Sequence, residues 1–244
     1  MTRALQAIIF DFDGVIADSE RLHLLAYQQV LMPYGLTLSD EGYYERYLGY
    51  DDERVIRCYA KDHALDWDEA MVRRLIEDKG VRYDTLIATG EMIFPGASRF
   101  IRAAAKRVPL AIASGALTQE IEEILGRTQL RSLFSTIVGA DQTRTTKPSP
   151  EPYLEAFARL AADDRNIAEW GTVAIEDSRW GLESARAAGL RPVAVTNTYA
   201  ALELSPYAEL VVSGLDDLTI EALDALCATP PLALSAASRQ AGRR

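Results

Sequence analysis

Two carboxylates, Asp11 and Asp13, stand at i and i+2 directly after the apolar run Ile8-Ile9-Phe10, and Gly14 follows them. A short apolar run of this kind fits a strand buried in a sheet, with Asp11 at its carboxyl end, where open α/β sheets place their ligands. In an extended segment residues i and i+2 point to the same side, so the two negative charges repel. A divalent cation, a shared proton or a phosphoryl group would each reward the arrangement. The plain alternative is a strand end followed by an Asp-Gly turn.

Three later segments repeat the theme. Leu110-Ala111-Ile112-Ala113 is a second apolar run, and it ends in Ser114-Gly115, which offer a hydroxyl and backbone N–H groups to an anion. In Thr146-Lys147-Pro148-Ser149-Pro150-Glu151, Ser149 suits an N-cap, Pro150 a first helical residue and Glu151 the first turn. Lys147 is thereby placed just before a helix N-terminus, where phosphates bind well. Thr172-Val173-Ala174-Ile175 is another buried-strand pattern, and Glu176-Asp177-Ser178 closes it. Each segment alone reads equally as a strand end, a capped helix or an acidic turn.

Taken together and in this order, the four segments resemble the motifs of the haloacid dehalogenase superfamily, in its phosphatase and phosphomutase branch. The likeness runs from residue 8 to about residue 195 and is closest to the subgroup of β-phosphoglucomutase and related sugar-phosphate phosphatases. The segment Asp18-Ser19-Glu20-Arg21-Leu22-His23 resembles that subgroup's link into a helical cap. A carboxylate nucleophile can split a slow phosphate-ester hydrolysis into two easier displacements through an aspartyl-phosphate. Asp11, at the rigid end of its strand, is the expected nucleophile, and Asp13 the general acid and base. Asp11, Glu176, Asp177 and the backbone carbonyl of Asp13 are oxygen donors suited to Mg²⁺. Ser114 and Gly115 would bind phosphoryl oxygens, and Lys147 would add a fixed positive charge. The resemblance assigns the same roles to these positions.

The resemblance also implies substrate contacts in the cap from His23, Gly49 and Lys79, with Lys79 helping to position the acid/base aspartate. One departure stands out. The mutase carries a lysine just before the glycine matching Gly49 and an arginine just after it, whereas this chain has Leu48-Gly49-Tyr50-Asp51-Asp52-Glu53-Arg54, with Asp52 at the arginine position. The cationic grip on a second phosphate is therefore weakened, and Asp51-Asp52-Glu53 is expected to repel one. The expected activity is a Mg²⁺-dependent phosphomonoesterase for a small phosphorylated metabolite, a sugar phosphate or phosphoglycolate. A β-phosphoglucomutase-like isomerase is the alternative within the class, and a catalytically idle binding protein the alternative outside it.

The elements that must hold these residues follow an alternating pattern. After the first strand, residues 18–93 read as almost wholly helical, with candidate helices at 40–47, 51–61 and 66–92. Pro33-Tyr34-Gly35 ends the first of the helices. From Pro95-Gly96 onward helices are expected at 96–107, 117–126, 150–161 and 179–188. Strands are expected at 109–113, 135–139, 171–176, 192–196 and 210–213, with Gly189 as a helix C-cap. This alternation implies an α/β fold: a Rossmann-like parallel sheet core with helices on both faces and an inserted α-helical cap domain. The core would comprise residues 1–17 and 94–228, the cap residues 18–93, and 229–244 would be a disordered tail.

Composition narrows the function classes. The chain has 244 residues, 48% hydrophobic and 25% charged, which suits an ordinary globular protein of one or two domains. A net charge of −10 argues against non-specific nucleic-acid binding but not against anionic substrates, because a local Mg²⁺ and a lysine can dominate the field in a cleft. No apolar stretch has spanning length, and the N-terminal apolar run is too short for a signal peptide. Cys58 and Cys227 lack metal-type spacing and read as reduced core thiols. A monomer in the cytoplasm is the expectation.

Overall fold

In the computed structural model, which describes residues 4–47, 50–88 and 92–230, the apolar run before Asp11 is a strand, β1 (Ala7–Phe10), with every residue buried. Burying Ile8, Ile9 or Phe10 contributes about 1.5–3 kcal/mol each relative to leaving it exposed. The chain divides into two units: the described parts of Met1–Ala17 and Ile93–Arg244, here called the core, and Asp18–Met92, the helical unit.

The helical unit is built from α1 (Ser19–Leu31), α2 (Asp40–Arg46), α3 (Asp52–Asp62) and α4 (Glu69–Ala88). A 3₁₀ turn over Met32–Tyr34 and Gly35 in the left-handed region, at φ 70°, end the first helix. Tyr27, Leu31, Tyr43, Tyr47, Val55, Ile56, Tyr59, Val72 and Leu75 belong to one buried cluster. The Asp68 carboxylate accepts from the N–H of Met71 at 2.8 Å, so α4 starts after Asp68 and not at residue 66. Each residue of the acidic run has a partner within the helical unit. Asp51 accepts from the N–H of Arg54 at 2.8 Å as the cap of α3, and Asp52 pairs with Lys79 at 2.7 Å. Glu53 pairs with Arg57 at 2.8 Å. Leu48, Gly49 and the segment 231–244 lie outside the described residues.

The core continues with α5 (Ala97–Ala104), β2 (Leu110–Ala113), α6 (Thr118–Arg127), β3 (Thr136–Val138), α7 (Glu151–Asp163) and β4 (Thr172–Glu176). It ends with α8 (Arg179–Ala187), β5 (Arg191–Val195), α9 (Ala201–Leu204), β6 (Leu210–Val212) and α10 (Ile220–Cys227). Among the described residues the strands form one sheet in the order β3-β2-β1-β4-β5-β6, and every pair is parallel.

Alternate residues of the strands face opposite sides. Ala7 and Ile9 share a cluster with Tyr153, Ala156 and Leu160 of α7 and Ala185 of α8. Phe10 meets Phe100 of α5 edge-on at 6.1 Å and Phe134 at 5.9 Å. Helices therefore cover both faces. The α10 helix escaped the sequence reading, although Thr219 caps it by accepting from the N–H of Ala222 at 3.2 Å. Buried Arg191 in β5 pairs with Glu209 and donates to the carbonyls of Leu226 and Thr229, which ties the end of α10 to the sheet. No helix among the described residues is long and apolar enough to cross a membrane. Both cysteines are free thiols.

Candidate active site

The sheet order reverses at β1 and β4. From β1 the chain order runs outward through β2 to β3, and from β4 through β5 to β6. Open α/β sheets bind ligands beyond the carboxyl ends of the strands at such a point. Phe10 stands opposite Ile175 in the parallel register, and the N–H of Asp11 donates to the Ile175 carbonyl at 2.9 Å. That bond carries the pairing one residue past the end of β1. It brings Asp11 beside Glu176 and Asp177, and one oxygen of each of the three lies within 4.8 Å of the others. Lys147 joins them, donating to Asp11 Oδ1 at 2.8 Å and to Glu176 Oε1 at 2.5 Å.

Asp13 is not on the strand. The chain turns after Asp11, and the N–H groups of Ile16 and Ala17 both donate to the Phe12 carbonyl at 2.9 Å. The same-side argument for an extended pair therefore does not apply. Asp13 is half-buried in the turn, and its charge still contributes to raising the pKa of Asp11. Gly14 makes the turn possible in two ways. Its φ is 74°, and a Cβ there would stand 1.9 Å from Oδ2 of Asp177. A side chain at this position would displace an acidic group of the site.

Glu176 has no exposed surface, and both its oxygens have protein partners. Oε1 accepts from Lys147 and from the Tyr153 hydroxyl at 2.9 Å. Oε2 accepts from the N–H of Asp177 at 3.2 Å and from the N–H and hydroxyl of Ser178 at 3.4 and 3.1 Å. The Ser178 hydroxyl also caps α8 by accepting from the N–H of Gly181 at 3.1 Å. A Cβ at Gly181 would meet this carboxylate at 1.9 Å. Tyr153, Ser178 and Thr198, a hydrogen-bond partner of Asp177, were missed in the sequence. Of these only Ser178, a serine directly after a strand and before a helix, carried a local signal.

The loop that delivers Lys147 is tied on both sides. Glu151 accepts from the N–H groups of Arg144 and Thr145 at 3.0 and 2.8 Å, and the Ser184 hydroxyl donates to the Ser149 carbonyl at 2.6 Å. The helix begins one residue later than expected, with Pro150 at the N-cap. Ser149 still accepts from the N–H of Glu151 at 3.3 Å.

The electrostatics leave the cluster short of positive charge. Burial, then Glu176, raise Asp11 well above the usual carboxylate range, against the opposing effect of Lys147. Burial and Glu176 likewise push Asp177 up to about 7. Burial alone would lower Lys147, but Asp11 and Glu176 outweigh it and keep the ammonium charged. One lysine against three buried carboxylates is an oxygen-donor set that fits a hard divalent cation such as Mg²⁺.

The other sequence candidates fall into two places. Ser114 is buried at the end of β2, where its Oγ accepts from the N–H of Ala116 at 3.1 Å. Gly115 follows it with open space beside its Cα. His23 and Lys79 belong to the helical unit. The Lys79 ammonium, 3% exposed, lies 2.7 Å from His23 Nδ1 and 2.7 Å from Asp52 Oδ1. Tyr27 donates to the same Asp52 oxygen at 2.6 Å, and the His23 ring stacks on Tyr83 at 4.3 Å. Burial, then Lys79, lower His23 to about 4, so it is neutral and accepts through Nδ1. Burial tends to raise Asp52, but hydrogen bonds from Lys79 and Tyr27 bring it below its ordinary value.

Comparison with known proteins agrees with this architecture. Residues 8–195 match the family described as haloacid dehalogenase-like hydrolase. Protein CbbY of Rhodobacter capsulatus is 31% identical over 202 residues, covering 80% of this chain and 87% of that protein. A phosphorylated carbohydrates phosphatase of Thermotoga maritima is 31% identical over 193 residues, covering 78% and 84%. Among solved structures, a mutant of CbbY from Rhodobacter sphaeroides in complex with xylulose-(1,5)bisphosphate superposes with a TM-score of 0.69 at 26% identity, covering 90% of this chain and 99% of that one. With its site residues at the switch point of a parallel sheet and the family pattern spanning most of its length, this chain belongs to the haloacid dehalogenase-like hydrolases.

Proposed function

We propose that this protein is a cytoplasmic Mg²⁺-dependent phosphomonoesterase that acts on a sugar phosphate or similarly small phosphorylated metabolite. The observation that carries the reading is the Asp11 carboxylate, held by Lys147 at 2.8 Å among buried acidic groups at the switch point of the sheet. The printed names of its relatives, a phosphorylated carbohydrates phosphatase and a CbbY bound to a sugar bisphosphate, support a sugar-phosphate substrate. Free thiols suit a reducing compartment.

Asp11 attacks phosphorus, the ester bond to the leaving oxygen breaks, and Asp13 protonates that oxygen. Asp13 then takes a proton from water, which attacks the aspartyl-phosphate and releases inorganic phosphate. Lys147 neutralises negative charge spread over the phosphoryl oxygens in both transition states, with Ser114 and the N–H of Gly115 as further donors. Mg²⁺ held by Asp11 and Asp177 would keep these carboxylates ionised and offset the charge of the phosphoryl group. The reading gives substrate choice to the helical unit, with His23, Gly49 and Lys79 as the candidate contacts.

The mutase alternative is disfavoured by Asp52. A mutase must grip a second phosphate with cations and exclude water from the aspartyl-phosphate. Here Lys79 is already paired with Asp52 at 2.7 Å. The test is a screen of phosphorylated metabolites with phosphate release as the readout. Mg²⁺-dependent release from sugar phosphates is expected, and hexose 1-phosphates should yield hexose and phosphate. Hexose 6-phosphate as the main product, seen by NMR with a trace of sugar bisphosphate as primer, would establish the mutase instead. Inactivity on every compound would leave the idle binding protein.

A further inference from the structure

We propose that Tyr153 is a positioning residue that fixes the height and direction of the Lys147 ammonium over Asp11. The inference rests on the reading of Lys147 as the cation that meets the phosphoryl group. Tyr153 is in the first turn of α7, fully buried, and touches Lys147 in two ways. Its ring lies 5.0 Å below the lysine nitrogen, within reach of a cation–π attraction. Its hydroxyl donates at 2.9 Å to Glu176 Oε1, the same oxygen that receives Lys147 at 2.5 Å.

The hydroxyl is the informative atom. Tyr153 shares its cluster with Ala7, Ile9, Ala156 and Leu160, and a phenylalanine would fill that apolar space as well. Burying a hydroxyl is unfavourable without a partner. The acceptor of this one is a carboxylate of the site. Lysine reaches its target on a flexible four-carbon stem, so its nitrogen is only as well placed as its partners are. The hydroxyl holds Glu176 Oε1, and Ser178 with the N–H of Asp177 holds Oε2. Glu176 is thereby a fixed anchor for Lys147, and Tyr153 acts on the reaction through that anchor. A misplacement of about 1 Å in a catalytic group can cost on the order of 100-fold in rate.

The test uses full-length Tyr153→Phe, Lys147→Met and the double variant, with Mg²⁺ present and folding checked by circular dichroism. The substrate is p-nitrophenyl phosphate or a compound from the screen. Tyr153→Phe should lower kcat on the order of 10-fold with little change in KM. It should weaken inhibition by orthovanadate by a similar factor and leave the Mg²⁺ concentration for half activation unchanged. In the Lys147→Met background the same change should cost less than about 2-fold, because the group it positions is gone. Wild-type kcat in Tyr153→Phe, or a full 10-fold further loss on top of Lys147→Met, would overturn the proposal. A shift confined to Mg²⁺ activation would also overturn it, since Tyr153 would then act on metal binding. If wild type hydrolyses nothing, the phosphatase reading fails by itself. Calorimetric binding of inorganic phosphate to the same variants then decides the role of Tyr153. Weaker binding in Tyr153→Phe but not in the Lys147→Met background would support it, and equal binding would overturn it, as would no binding to wild type.

Discussion

Lys147 in the core and Lys79 in the helical unit are built from the same parts and arrive at different charge balances. Each ammonium donates to a carboxylate at short range, Asp11 and Glu176 in one case and Asp52 in the other. Each has tyrosine rings nearby, Tyr153 at 5.0 Å for Lys147, and Tyr83 at 4.9 Å and Tyr27 at 5.2 Å for Lys79. Lys79 is in direct contact with one carboxylate and a neutral histidine. Lys147 meets a cluster in which burial, then the charge of Glu176, raise both Asp11 and Asp177. A buried cation alone therefore does not mark a metal or phosphoryl site. The surplus of carboxylates around it does, because like charges kept together in an apolar interior call for a cation, a shared proton or a substrate that offsets them.

The largest expected effect breaks the comparison on the core side. Asp11→Asn is nearly isosteric and should keep the fold, yet lower turnover by about a thousand-fold or more, measured as phosphate release. Next comes the metal. Mg²⁺ at about 100 times its dissociation constant should stabilise the wild type by about 2.7 kcal/mol, read as a rise in Tm. Asp177→Asn should shrink that rise, and Ca²⁺ should support activity poorly, since it prefers more ligands and looser geometry.

The helical unit should respond differently. Asp52→Asn removes the charge partner of buried Lys79 and should cost about 2 kcal/mol of stability, below the figure for a fully buried pair because Asp52 is partly exposed. The Mg²⁺-induced rise in Tm should survive unchanged. A loss of that rise in Asp52→Asn would erase the distinction between the two clusters.

The last effect is in pH, and its sign differs between the regions. His23 titrates near 6.5 when unfolded and at about 4 when folded, so stability from this group is lost as pH falls through that interval. Asp177 titrates near 3.8 when unfolded and at about 7 in the folded, metal-free core, so here stability is lost as pH rises through that interval. In metal-free protein the two slopes oppose each other. His23→Asn, which keeps an acceptor for Lys79, should leave a Tm that falls between about pH 4 and pH 7. Saturating Mg²⁺ should flatten that fall.

Much of this organisation was legible in the sequence because it is local. Apolar runs ending at Asp11, Ser114 and Glu176 place those residues at strand ends, and parallel strands bring their carboxyl ends to one edge. Local hydrogen bonds shifted the details: Asp68 moved the start of α4, and Pro150 replaced Ser149 at the cap of α7. The turn after Asp11 removed Asp13 from the strand. The pairing of Asp52 with Lys79 spans 27 residues and that of Tyr153 with Glu176 spans 23, and no periodicity encodes which side chains meet over such separations. Tyr153 in particular reads as one more apolar position of α7 until its hydroxyl is placed.

The central claim is that the undercompensated core cluster transfers a phosphoryl group through Asp11. Its most direct test is mass spectrometry of peptides from protein acid-quenched during turnover of a sugar phosphate, with and without excess chelator. The account predicts a phosphoryl group on Asp11 with Mg²⁺ present and none when the metal is removed. Phosphorylation of a serine or histidine, or full turnover in excess chelator, would contradict it.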